Sequence, residues 1–108
     1  MEESSRMPTA EEMGVIEFLV DKGGYSKGDW RRGLRVIDMP GGMGSLRISY
    51  DDKDSERKLG DEVSSVRFKD IDGVDVIMTL YVDTEGKLYE LDVWKVDFTD
   101  LIRMPERW

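Results

Sequence analysis

Apolar residues near the start of the chain recur at helical spacing. Met13, Ile16, Leu19 and Val20 fall on one stripe of a 3.6-residue repeat. Thr9 precedes them, and Glu12 follows Thr9 by three residues, which is the spacing of a capping box. Glu11 and Glu12 suit the positive end of the helix dipole. Gly23-Gly24 supplies a stop. The pattern predicts a helix over about residues 10–22, with one face built for a core. Residues 25–33 are basic and irregular. Residues 34–39 read as a strand, and Pro40-Gly41-Gly42-Met43-Gly44 breaks it. Residues 45–50 read as a second strand, in which Leu46, Ile48 and Tyr50 alternate. Residues 51–61 are charged, with no apolar pattern except Leu59, and read as an exposed loop.

The second half carries the clearest strand signals. Two turns share one form, Asp70-Ile71-Asp72-Gly73 and Asp83-Thr84-Glu85-Gly86. A short acidic turn ending in glycine suits a type I turn with a glycine bulge. The flanking residues 63–69, 74–82 and 88–96 are rich in β-branched and aromatic side chains. They predict a three-stranded antiparallel meander. Such turns also fix a register. The first sets Phe68 opposite Val76, Val66 opposite Met78 and Lys69 opposite Asp75, so apolar meets apolar. The second sets Val76 opposite Trp94, Met78 opposite Asp92, Leu80 opposite Glu90 and Asp75 opposite Lys95. Trp94 then belongs to the core, but two acids share its face. The reverse face carries Ile77, Tyr81, Tyr89, Leu91 and Val93 among Arg67, Thr79 and Lys95, which is too apolar for a solvated surface. The tail offers Phe98, Leu101, Ile102, Met104 and Trp108 to a sheet edge, with Pro105 ending any helix. The fold class expected is α+β: one N-terminal helix packed on a mostly antiparallel meander sheet of about five strands. Residues 1–7 read as a disordered lead-in to a single domain over residues 8–108.

Composition narrows the chemistry. A chain of 108 residues is a usual size for one domain. It has no cysteine and no histidine. Disulfides, thiolate metal sites, a cysteine nucleophile and a Ser-His-Asp triad are therefore excluded, as is the ordinary base of neutral pH. The net charge is −8, from 16 basic and 24 acidic residues. Residues 1–50 hold 7 basic against 8 acidic residues, and residues 51–108 hold 9 against 16. This balance argues against nucleic acid, which needs a basic face. It admits a basic protein partner, although solubility explains it more simply. The opening residues lack the apolar core of a secretory signal, and no apolar run reaches membrane-spanning length. A cytoplasmic protein without membrane contact is expected.

Three groups of residues are candidates for chemistry. The first is the acids Asp70, Asp72, Asp75, Glu90, Asp92 and Asp97, since paired carboxylates bind hard cations or share acid and base roles. Asp70-Ile71-Asp72-Gly73 lacks the third ligand and the distal glutamate of a calcium loop, so turn formation and strand-edge charge account for most of these acids. Glu90 and Asp92 are the exceptions, because a carboxylate facing a core needs a partner, which Arg35 or Arg47 can supply. The second is Gly41-Gly42-Met43-Gly44-Ser45. A phosphate loop opens a helix, whereas this one joins two strands and holds no lysine. The third is Lys27, Arg31, Arg32 and Arg35 around Trp30. Such a set stacks on single-stranded nucleic acid or pairs with the acidic half of the same domain, and net charge favours the second.

Asp70-Ile71-Asp72-Gly73-Val74, Leu80-Tyr81 and Glu90-Leu91-Asp92-Val93-Trp94-Lys95-Val96-Asp97-Phe98 together resemble a family of small uncharacterised bacterial proteins, a domain of unknown function. Gly41-Gly42-Met43-Gly44-Ser45-Leu46 fits the same pattern upstream. The resemblance implies a bacterial source and no particular activity. The size and style of the chain also resemble immunity proteins encoded beside secreted toxins. The function expected is a non-enzymatic protein-binding module, most concretely an immunity-type partner of a basic toxin. The alternative is a small ligand- or cation-binding enzyme using Glu90 and Asp92. A deep pocket at those acids would favour the enzyme, and a flat, acidic, partly apolar face the binder. No cofactor, catalytic residue or metal ligand is expected. The expected binding residues are Asp75, Tyr81, Asp83, Glu85, Tyr89, Glu90, Leu91 and Asp92. A second copy of the chain is a further candidate partner.

Overall fold

A computed structural model describes residues 4–50 and 56–108. One helix, α1 (Ala10–Gly23), packs on a sheet of β1 (Arg35–Asp38), β2 (Leu46–Ser49), β3 (Leu59–Lys69), β4 (Asp75–Asp83) and β5 (Leu88–Lys95). The strand order is β1-β2-β5-β4-β3, with every pairing antiparallel. The α+β class is therefore as the sequence implies. The sheet is not one continuous meander, because the β1–β2 hairpin joins the later strands through β5, with Leu46 opposite Leu91 and Arg47 opposite Glu90.

The capping box forms as expected. The Thr9 hydroxyl accepts the Glu12 N–H at 3.0 Å, and the Glu12 carboxylate accepts the Thr9 N–H at 2.9 Å. The two glycines at the other end have separate tasks. Gly24 takes the left-handed conformation, φ 68, that closes the last turn. Gly23 abuts β3, where a Cβ atom would lie 2.5 Å from the Val63 carbonyl oxygen. Val15, Ile16, Leu19 and Val20 of α1 meet Val36, Leu46, Ile48, Val76, Met78, Leu80, Leu91 and Val93 of the sheet in one core. The Ser64 hydroxyl of β3 donates to the Leu19 carbonyl at 2.6 Å.

Two segments read as irregular are tied down. Arg6, in the expected lead-in, forms a bridge with Val36 and pairs with both Glu12 and Asp38. Within residues 51–61, positions 51–55 lie outside the described residues, and β3 already begins at Leu59. Irregular pairing at its start, between Leu59 and Ser64, hides this strand from a test for alternation. The tail forms no helix. Trp108 stacks on Phe18 at 5.4 Å and meets Phe68 edge-on at 5.3 Å.

The first hairpin has the register its turn dictates, with Phe68 opposite Val76, Val66 opposite Met78 and Lys69 opposite Asp75. The second departs from it. Val82 lies opposite Leu88 as the turn requires, but Tyr81 lies opposite Glu90. Tyr89 is the extra residue of a bulge, and beyond it every side chain of β5 changes face. Met78 meets Val93 and Leu80 meets Leu91, while Glu90, Asp92 and Trp94 turn away from the helix. Trp94 is therefore not in the core and is 43% exposed. Lys95 stands opposite Val76 rather than Asp75 and is fully buried.

Chemical denaturation checks this reversal. Leu91→Ala is expected to lose about 2–5 kcal/mol as a core truncation. Trp94→Ala is expected to lose about 1 kcal/mol, clearly less than the core truncation, because the side chain lies on the open face and is 43% exposed. Equal losses would return β5 to the register without a bulge.

Candidate functional site

With α1 on one side, the other side of the sheet is left without a covering element among the described residues. Along β5 this open face carries Glu90, Asp92 and Trp94, beside Tyr81, Thr79 and Ile77 of β4. Glu62 of β3 stands opposite Tyr81. The tight turn after β5 adds Phe98, whose N–H donates to the Lys95 carbonyl at 2.9 Å. Its ring is 73% exposed and lies 6.5 Å from the Trp94 ring, centroid to centroid.

The acids of this face crowd one another. Burial pushes the Glu90 carboxyl above its ordinary value, Asp92 adds to the rise, and Arg47 works against it. Burial also raises the Tyr81 phenol, followed by the charges of Asp92, Glu62 and Glu90. Arg47 stands opposite Glu90 on β2 and lies over the Tyr89 ring at 5.0 Å, with its Nε buried and without a hydrogen-bond partner. Of the two arginines expected to serve these acids, Arg47 acts on Glu90 by its charge alone, without an ion pair to either acid among the described residues. Arg35 donates instead to Ser5, at 2.8 Å to the hydroxyl and 3.0 Å to the carbonyl.

The expected binding residues therefore separate. Tyr81, Glu90 and Asp92 share the open face, and Asp75 lies at its end, held by Lys69 at 2.9 Å and Arg67 at 3.6 Å. Leu91 does not belong with them, since the bulge turns it into the core at zero exposure. Asp83 does not lie open to a partner either. It is buried, pairs with Arg57 at 2.8 Å and accepts the Glu85 and Lys87 N–H groups. Glu85 is exposed in the turn, while Tyr89 is buried with its hydroxyl 3.4 Å from the Arg57 carbonyl. Trp94 and Phe98 were missed. Turn chemistry alone hides the bulge that exposes Trp94, and no sequence signal marks a phenylalanine for a left-handed turn.

The other candidates resolve into structure. Asp70 and Asp72 both hold the Lys95 ammonium, at 2.9 and 2.7 Å, where a calcium loop would hold its ion. Asp70 also accepts the N–H groups of Ile102 at 2.7 Å, Ile71 at 2.8 Å and Arg103 at 3.2 Å. The glycine-rich residues 41–45 join β1 to β2 as expected. The hollow beside them, about 350 Å³, is also lined by Asp38 and Asp100, which repel an anion. Among the described residues, the basic side chains around Trp30 do not form ion pairs with acids of the second half. Arg31 lies 4.2 Å over Trp30 and pairs with Glu17, and Lys27 donates to the Glu85 carbonyl. Among the described residues no three acidic side chains converge as metal ligands would, and no helix is long and apolar enough to cross a membrane.

The ion cluster gives a pH signature. Burial pushes the Asp70 carboxyl up, but its donors outweigh that and hold it below the ordinary range. Burial pulls the Lys95 ammonium down, and its bonds to Asp72 and Asp70 more than restore it. Asp70 thus stabilises the fold fully above its unfolded value, about 3.9, and the effect is lost as pH falls through its lower folded value. The contribution of Lys95 is full below about 10.4 and is lost as pH rises through its higher folded value. Asp70→Asn is expected to lower the melting temperature at pH 7 by about 10 °C or more. Circular dichroism should show this gap narrowing as the parent protein is acidified below about pH 4. A gap independent of pH would remove Asp70 from this role.

No curated protein and no solved structure matches the chain. A family model does match, over residues 5–105. That span runs from the Arg6 bridge to the tail, so it includes the helix, all five strands, the ion cluster and the open face. The chain belongs to the family of that model, a domain of unknown function designated DUF6984.

Proposed function

We propose that the protein is a non-enzymatic binding module whose open sheet face receives a basic protein surface. The observation that carries this reading is Phe98. Its backbone sits at φ 66 although its ring is exposed. That conformation costs a non-glycine residue about 1–2 kcal/mol, and an exposed ring returns little within the fold. Strain held at an exposed residue suggests a function. Phe98 and Trp94 form an aromatic pair at the edge of a polar face, which is the composition of an interface hot spot.

Charge supports the nature of the partner. Glu62, Glu90 and Asp92 gather around Tyr81, and their mutual repulsion is relieved by an arriving lysine or arginine. A basic partner is also steered toward a chain of net charge −8. The acids lie on an open sheet, which favours the binder over an enzyme built on Glu90 and Asp92. The resemblance to small bacterial proteins supports a bacterial setting, in which a basic toxin is one partner of this class.

Two substitutions separate binding from stability. Phe98→Gly is expected to hold or raise the melting temperature, since the strain is relieved, while weakening the complex at least about tenfold. Glu90→Gln follows the same logic. The raised Glu90 carboxyl means that stability falls as pH rises through its titration, so an uncharged glutamine is expected to raise the melting temperature at pH 7 and to slow association. A photo-crosslinking residue at Arg67 would identify the partner in the source cell. The purified partner would then be followed by stopped flow at two salt concentrations. A basic protein whose association slows with salt, and whose binding fails with Phe98→Gly, is the expected result. Recovery of nothing, of acidic proteins alone, or of only a second copy overturns the reading, as does Phe98→Gly binding like the parent.

A further inference from the structure

A cleft of about 380 Å³ lies at the other end of the molecule from the ion cluster, beside the second hairpin turn. It is lined by Tyr25, Lys27, Trp30, Arg32, Tyr50 and Lys87, with Gly28 and Asp29 completing the wall. The volume falls within the usual range for small-molecule pockets. The aromatic walls are fixed. The Tyr25 hydroxyl donates to the Gly86 carbonyl at 2.8 Å, and the Tyr50 hydroxyl donates to the Trp30 carbonyl at 2.7 Å. Lys27 reaches across to the Glu85 carbonyl, so the loop after α1 is clamped to the turn between β4 and β5. These bonds fix Tyr25 and Tyr50 in the cleft wall, where Trp30 is largely buried with the Arg31 guanidinium over its ring.

The charge of this cleft is opposite to that of the chain. Three cations, Lys27, Arg32 and Lys87, line it against one acid, Asp29, in a protein of net charge −8. Among the described residues, Arg32 and Lys87 have no ion-pair partner. Cations lacking carboxylate partners beside fixed aromatic faces form a receptor for one kind of molecule. The rings take a flat apolar body, and the guanidinium and ammonium groups take an anionic end, which Arg32 can bind through two parallel hydrogen bonds.

We propose that this cleft binds a small planar organic anion, an aromatic or heteroaromatic ring bearing a phosphate or a carboxylate. The ring lies against the Tyr25, Trp30 and Tyr50 side of the cleft, and the anionic group meets Arg32 and Lys87. A nucleic-acid strand fits less well, because it needs a continuous basic track and the cations here are confined to one cleft.

The test is a titration of the full chain followed by amide and indole chemical shifts. The probes are adenosine monophosphate, 2-naphthoate, adenosine, inorganic phosphate and a short oligothymidylate. Saturable shifts at Tyr25, Lys27, Gly28, Trp30 and Lys87 are expected with adenosine monophosphate, with 2-naphthoate, or with both. Which of the two binds distinguishes phosphate from carboxylate as the anionic end. Adenosine and inorganic phosphate are expected to bind at least about tenfold more weakly, because each supplies half of the recognition. The double variant Arg32→Gln, Lys87→Gln removes two exposed charges, so it is expected to keep its melting temperature and lose at least about tenfold in affinity. The proposal is overturned if neither ring-bearing anion saturates at millimolar concentration. It is also overturned if inorganic phosphate binds as well as they do, if the oligothymidylate binds more tightly, or if the double variant binds like the parent.

Discussion

The buried Lys95 ammonium is the constraint on which the rest of this structure depends. A charge without solvent contact is tolerable only when it is paired and its partners are themselves hydrogen-bonded. Asp70 and Asp72 meet that condition. Asp70 also accepts three backbone N–H groups, two of them from the C-terminal tail. One cluster therefore joins the first hairpin turn, the end of β5 and the tail. It also requires the bulge at Tyr89, because only a β5 shifted by one residue points Lys95 inward. The same shift turns Leu91 and Val93 into the core and sends Glu90, Asp92 and Trp94 to the open face. Core, ion cluster and open face are three results of one extra residue.

The far end of the sheet is held by a second buried pair. Arg57 bonds Asp83 and the carbonyls of Ile48 and Leu88, and lies 4.8 Å over the Tyr89 ring. The bulge thus sits against a fixed cation. Asp83 in turn caps the Glu85 and Lys87 N–H groups of the second turn, and that turn forms one wall of the cationic cleft through Gly86 and Lys87. The chain carries fewer cations than acids, yet Arg6, Arg57 and Lys95 are each placed between structural partners. Against that usage, the exposed Arg32 and Lys87 stand out as positions suited to a ligand.

The two proposed surfaces differ in kind. The open face is acidic and aromatic and extends across two strands, as suits a protein surface. The cleft is cationic and aromatic and of small-molecule size. They lie on separate parts of the fold, one built on β4 and β5 and the other on the loop after α1. A ligand in the cleft would touch Lys87, in the turn just before β5, so the two surfaces are neighbours along the chain without sharing residues.

The sequence by itself determined the helix, its capping box, both acidic turns, the first hairpin register and the α+β class. Each is a local matter: hydrogen bonds between residues three or four apart, or an apolar pattern read along a single strand. What it did not determine is where β5 changes face. A bulge is favoured by contacts on both sides of the strand, here Lys95 with Asp70 and Asp72, and Leu91 with Leu80 and Leu46. Those partners are distant in sequence, so the local pattern placed Trp94 in the core and left two acids beside it. The early start of β3, the docking of Arg6 and the position of Phe98 were hidden for the same reason. Tertiary structure alone brought Tyr25, Trp30, Tyr50 and Lys87 around one cleft, because the clamp that closes it, from Lys27 to Glu85, spans half the chain.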